Sequence, residues 1–204
     1  MNKSYINLFC LLFSMISFSQ DFNGGIFGGL STSQVSGDNL SGFNKIGPRL
    51  GLYINRPIKW YGVQLELQYL VKGSKKNNSE VIQNTNLNYV YNYNFHLNYV
   101  GVPVLLYSNI RKNIKLELGT SFNFLIKQKE EIDFYIDETR KAKSFETSIL
   151  IGFTYQKNEK ISFNTRLSNS ITPIRPHASG ETHQLNRGQY NTVICFSIYY
   201  VLKN

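Results

Sequence analysis

From Asn86 to Tyr107 the chain alternates almost without a break. Leu87, Tyr89, Tyr91, Tyr93, Phe95, Leu97 and Tyr99 fall on one parity, and Asn88, Asn92, Asn94, His96 and Asn98 on the other. A period of two is the period of a β-strand. At ~3.3 Å per residue this stretch reaches roughly 70 Å, far beyond an ordinary strand. The same alternation predicts eight strands: about 23–35, 45–58, 61–72, 86–107, 114–127, 145–156, 161–171 and 189–202. In the third, Val63, Leu65, Leu67, Tyr69 and Val71 oppose Gln64, Glu66, Gln68 and Lys72. The fifth sets Leu116, Leu118, Phe122, Phe124 and Ile126 against Glu117, Gly119, Ser121, Asn123 and Lys127. Each is at least the ~9–11 residues that a tilted strand needs to cross a bilayer.

The connections alternate in length. Those around 58–60, 109–113 and 157–160 are short, and those around 36–44, 73–85, 128–144 and 172–188 are long. Short turns at one end and long loops at the other mark an even-stranded transmembrane barrel. The fold expected is therefore all-β, an eight-stranded antiparallel up-and-down transmembrane β-barrel. Eight strands enclose room for side chains only, which excludes a wide pore.

The opening stretch carries a conflict. Its lower half turns Val100, Val102, Val104 and Leu106 outward, whereas its upper half has its aromatics on the other parity. Either the upper aromatics turn inward over the barrel mouth, or a bulge near Gly101 and Pro103 shifts the phase. The first is favoured, with Tyr89, Tyr91, Tyr93 and Phe95 plugging the mouth.

Composition sharpens this picture. Lys3, the apolar run Leu8 to Phe18 and the small residues Ser17 and Ser19 predict a secretory signal peptide over 1–19, followed by a barrel domain over 20–204. Cleavage takes away Cys10 and leaves Cys195 alone, so no internal disulfide is available. No stretch after residue 20 has the ~18 apolar residues of a membrane helix. A soluble lipocalin-like barrel, with the apolar face inward, is the competing architecture. Against it, the polar faces carry mostly Gly, Ser, Thr, Asn and Gln. Aromatics also gather in two belts: Trp60, Tyr61, Tyr107, Tyr155, Tyr199 and Tyr200 at the short-turn end, and Phe43, Tyr69, Phe124, Phe145 and Tyr190 at the other.

Strand charges are few, and Arg49 and Arg166 share the polar parity with Glu66, Glu117 and Glu146. A lone charge in a narrow barrel is costly, so these five are expected to form one lumen network. The alternative leaves some of them at wet strand ends.

Val63 to Gly73, VQLELQYLVKG, resembles the L-Q-P-E-L-x-Y-x-x-K-G segment of the PorT-like outer-membrane β-barrel family of Bacteroidota. Tyr99 to Tyr107, YVGVPVLLY, resembles that family's next strand, Y-L-E-I-P-L-L-L-x-Y. Gly28 to Ser31, Gly51 to Tyr53 and Leu118 to Ser121 fit further parts of it. Leu65 replaces the family's Pro, and Gly101 its Glu, which removes one lumen charge. The resemblance implies an eight-stranded outer-membrane barrel and brings no catalytic residues.

The chemistry offered is thin. His177, Ser179 and Glu181 lie within five residues, as a lipid-modifying hydrolase would need, but in a loop with nothing to hold them in register. No enzyme activity, cofactor, metal site or nucleic-acid module is expected. Basic residues gather at the expected outer rim: Lys72, Lys75, Lys76, Lys127, Lys129, Arg140, Lys141, Lys143 and Arg187. Of these, Lys72, Lys75, Lys127, Lys129 and Lys143 are candidates to contact lipopolysaccharide phosphates. The alternative is a solvated loop surface, since Glu130, Glu131, Asp133, Asp137 and Glu138 share the loops. The function expected is structural or interaction work through extracellular loops. The partners expected are the outer-membrane bilayer, lipopolysaccharide, the barrel-assembly machinery during biogenesis and other envelope proteins.

Overall fold

The computed structural model describes residues 22–38, 40, 42–77, 92–133, 135–177 and 188–203. The signal-peptide segment, the start of the long strand (86–91) and Ser179, Glu181, His183 and Arg187 lie outside the described residues. The strands are β1 (Asn23–Ser36), β2 (Lys45–Ile58), β3 (Tyr61–Asn77), β4 (Asn92–Arg111), β5 (Ile114–Ile132), β6 (Tyr135–Ile136), β7 (Phe145–Gln156), β8 (Ile161–Ser170) and β9 (Tyr190–Lys203). Eight of them form a closed antiparallel ring, β1-β2-β3-β4-β5-β7-β8-β9, with β9 back against β1. The two-residue β6 sits outside the ring, paired with the outer end of β5.

Burial decides which way the ring faces. Leu30, Leu50, Leu67, Leu106, Leu118 and Ile198 are all more than half exposed, while Arg49, Glu66, Lys72, Glu146 and Arg166 are almost fully buried. Apolar residues line the outside of every ring strand and polar residues fill the inside. Water does not stabilise such a surface over a whole barrel, and a bilayer does. The lipocalin-like alternative, which needs the opposite facing, is excluded.

Three strands run further than their alternation predicted. β3 continues to Asn77, β4 to Arg111 and β5 to Ile132. The outer ends of β3, β4 and β5 pair with one another, Lys76 with Tyr93 and Tyr93 with Ile132, and so need no other strand. The expected loop over 128–144 is therefore partly a hairpin. Beyond the Arg49–Leu70 pair, β3 has left β2. Ser31 and Ser33 of β1 donate to its Val71 and Gly73 carbonyls, at 2.9 Å each. The β3–β5 extension thus leans across the barrel mouth.

Gly73 permits that lean. Its φ is +130°, and a Cβ there would lie 1.9 Å from the Phe95 carbonyl oxygen, which belongs to the rigid β4 backbone. Gly73→Ala is expected to lower stability by about 1–3 kcal/mol, read as an earlier urea midpoint of the refolded barrel. An unchanged midpoint sinks the claim that this turn is glycine-dependent.

The phase conflict resolves in two ways at once. Along β4 the parity does not shift from Tyr93 to Tyr107, and Tyr93, Phe95, Leu97 and Tyr99 are buried while Val104 and Leu106 face out. The upper aromatics turn inward, as favoured, and Tyr89 and Tyr91 lie outside the described residues. The bulge exists too, but on β5: Asn98 pairs with Lys127 and Tyr99 with Leu125, leaving Ile126 unpaired on that side. An extra residue in a strand reverses the facing of everything beyond it. Lys127 is turned out of the lumen by it, and Glu130 is turned in.

The aromatic belt needs a correction. Trp60, Tyr61, Tyr155 and Tyr200 are exposed at the short-turn end, but Tyr107 and Tyr199 are buried. Both share the inward parity of their strands, and parity outweighs height along the strand.

Candidate functional site

The inside of the barrel is a stack of three charge clusters. The lowest joins β2, β3, β5, β8 and β9. Glu66 receives Arg49 Nη2 at 3.0 Å, Arg166 Nη1 at 2.8 Å, Gln64 Nε2 at 2.7 Å and the Tyr199 hydroxyl at 2.9 Å. Arg166 Nη2 also reaches Glu117 Oε2 at 2.8 Å, and Asn164 donates to the same oxygen at 3.0 Å. Arg49 donates further to Gln68 and Ser197, and its guanidinium lies 4.5 Å from the Phe27 ring centre. Phe27 in turn stacks on Tyr199, with ring centres 4.7 Å apart. Two guanidiniums face two carboxylates, and neutral donors and acceptors fill the gaps, which is what makes charge tolerable at this burial.

The structure brings Arg49, Glu66, Glu117 and Arg166 together, but not Glu146. On β7, Glu146 lies opposite Asn123, six residues nearer the outer end than Gly152, which lies opposite Glu117. At that height it meets Lys72, with Nζ 2.7 Å from Oε1. Asn191 and Ser148 complete the shell of Glu146 at 2.7 Å each, and the Lys72 amine sits 4.8 Å from the Tyr99 ring centre. Lys72 is therefore not a rim residue. It is 1% exposed because it shares the inward parity of Glu66, Gln68 and Leu70. Lys75, Lys127, Lys129 and Lys143 are exposed at the outer end.

The third cluster is the lid of the stack. Arg175 spans Glu130 and the Tyr93 hydroxyl, with Nη2 3.0 and 2.9 Å away respectively, and Tyr93 donates to Glu130 at 2.6 Å. The Arg175 guanidinium covers the Phe95 ring at 4.0 Å. Burial works against its charge, but the Glu130 hydrogen bond and the charge around it outweigh burial and hold the group above its ordinary value. Beside it Ile174 is fully buried against Val35, Tyr93, Phe95, Leu97 and Tyr99. The segment is anchored on both sides, by Lys143 N to Ile174 O at 2.7 Å and by the paired Arg175 and Gln189 backbones at 2.8 Å. Glu130 and Arg175 escape a reading by alternation. The β5 bulge puts Glu130 on the wrong parity, and Arg175 belongs to no strand. The available signal is the isolated apolar-basic pair Ile174-Arg175 enclosed by Pro173 and Pro176.

The lumen cations Arg49, Arg166, Lys72 and Arg175 thus each have a carboxylate at their own height. A polar cavity of about 360 Å³ opens at the short-turn end, lined among others by Asn55, Gln64, Lys115, Glu117 and Glu159. Glu117, in its lining, is shared with the Glu66 cluster through Arg166. His177 rests against the Gly37 carbonyl, with Nδ1 3.2 Å away. Among the described residues no group of His, Cys, Asp or Glu side chains converges on a metal-sized site.

A family model described as "Outer membrane protein beta-barrel domain" matches residues 18–175. The barrel resembles Ail, the attachment invasion locus protein of Yersinia pestis, at 12% identity and a TM-score of 0.51, over 88% of this chain and 98% of that one. It resembles Neisserial surface protein A at 10% identity and a TM-score of 0.52, over 88% and 96%. A further structure of Ail, in complex with the heparin analogue sucrose octasulfate, matches at 12% identity and a TM-score of 0.50, over 89% and 99%. At these identities the likeness is one of fold. No curated protein matches the chain in sequence.

Proposed function

The chain belongs to the outer membrane protein beta-barrel domain family, and from that premise we propose that it is a sealed barrel that anchors and displays its outer loops for structural or interaction work. The observation that carries this reading is the lumen. Three self-compensated charge clusters occupy its length, and an apolar plug of Val35, Tyr93, Phe95, Leu97, Tyr99 and Ile174 covers the outer end. An ion entering from the turn-end cavity meets carboxylates already paired with guanidiniums, Glu117 with Arg166 and Glu66 with Arg49 and Arg166. The barrel is neither a wide pore nor an enzyme. Within the family it is PorT-like, through the neighbouring strands β3 and β4. It is exported by a signal peptide over 1–19, inserted by the barrel-assembly machinery, and contacts lipopolysaccharide through Lys75, Lys127, Lys129 and Lys143.

The test is conductance. Wild-type barrel refolded into planar bilayers should insert without a steady stepwise current in potassium chloride. A stable ohmic step in wild type overturns the sealed-barrel reading.

A further inference from the structure

The outward side of the β3–β5 extension carries a cluster that alternation alone does not assemble. Its rows follow from the register. Lys75, Asn94 and Glu131 stand side by side, then Gly73, His96 and Lys129, then Val71, Asn98 and Lys127. A fourth strand end joins from β2, where the Lys45 amine donates to Asn94 Oδ1 at 2.6 Å. Lys45 is 6% exposed, and its bond to this neutral amide uses one of three N–H donors.

The cluster is short of negative charge. Lys45, His96 and Lys129 have one carboxylate in common among the described residues, Glu131, which is paired with Lys129. Burial, followed by neighbouring Lys75, pushes the Lys45 amine down to about 8. Burial and then Lys45 hold His96 below its ordinary value. Lysine cations crowded in this way around one carboxylate favour an added anion, to which the His96 ring offers an N–H donor.

Height in the membrane identifies the source of that anion. One register step below Asn98 and Lys127 lie Val100 and Phe124, and the exposed Phe124 and Ile126 belong to the lipid-facing band. A headgroup at the cluster has its acyl chains against that band.

We propose that Lys45, Lys75, His96, Lys127 and Lys129 form one phosphate-binding face, which takes the phosphorylated headgroup of an outer-leaflet glycolipid. The proposal rests on the lipopolysaccharide contact above and narrows it to one side of the rim. It adds Lys45 and His96, and it leaves Lys143 outside.

The experiment uses the full barrel in phosphatidylcholine nanodiscs with fluorescent bis-phosphorylated lipid A. Affinity is compared for wild type, the triple variant Lys45→Gln/His96→Gln/Lys129→Gln, and Lys143→Gln. Folding is checked by heat-modifiable gel mobility, and the exposed single change Lys129→Gln serves if the triple variant does not fold. The triple variant should bind at least about tenfold more weakly, and Lys143→Gln less than about threefold. Equal small losses in both overturn the face and leave a diffuse rim contact standing. No preference of wild type for lipid A over phosphatidylcholine overturns both. Unchanged binding of dephosphorylated lipid A overturns the phosphate. Equal competition by a soluble phosphorylated disaccharide without acyl chains overturns the lipid as occupant.

Discussion

Glu66→Gln is expected to lower the stability of the barrel by about 3–5 kcal/mol, the range for removing one partner of a buried ion pair. Glu66 is 2% exposed and is the acceptor that Arg49, Arg166, Gln64 and Tyr199 share. The amide keeps the shape but loses the charge, so two buried guanidiniums are left with Glu117 alone. Urea unfolding in micelles, followed by the mobility difference between folded and heated barrel, measures the loss. Salt should not reproduce it, because ions screen buried pairs poorly. Adding Arg49→Met should recover much of the stability, since an apolar side chain of similar length removes the second uncompensated charge. A Glu66→Gln barrel that unfolds with wild type refutes the shared-acceptor role.

Arg175→Met is expected to release the lid with a local loss of similar size, about 3–5 kcal/mol, by leaving Glu130 buried and unpaired. The consequence differs from that at Glu66. Arg175 belongs to a connection, not to a ring strand, so its loss frees 171–177 while the barrel stays closed below. Proteinase K added to whole cells should cut the variant near Ile174 and spare the wild type there. Glu130→Gln combined with Arg175→Met should restore part of the protection. Equal resistance of variant and wild type would show that Ile174 and the backbone anchors hold the lid without the charge pair.

The two sites differ in how far they were legible. Arg49, Glu66, Glu117 and Arg166 stand on stretches whose alternation is unbroken, Glu117 lying before the β5 bulge, so their shared inward facing follows from parity. Their grouping does not, because Glu146 has the same parity and meets Lys72 instead. Parity gives facing, while height along the lumen depends on the stagger between strands. Lys72 shows the same gap, since it lies beside the loop in the chain but inside the lumen in space. Tyr107 and Tyr199 were placed in a belt by their height, and their inward parity overruled it. Glu130 was hidden by one unpaired residue at Ile126, which reverses the pattern beyond it.

The sequence alone determined the eight ring strands, their antiparallel order, the long loops at one end and the lipid-facing parity of Leu50, Leu67, Leu106 and Leu118. All of these follow from a local period of two and from loop length, which neighbouring residues set. The tertiary structure alone decided the lean of β3 at Gly73, the seal by Ile174 and Arg175, and the partner of each buried charge. Those depend on contacts between residues far apart in the chain, 100 positions for Glu66 and Arg166 and 45 for Glu130 and Arg175. Such contacts come from barrel stagger and the β5 bulge at Ile126, which no local period of two records.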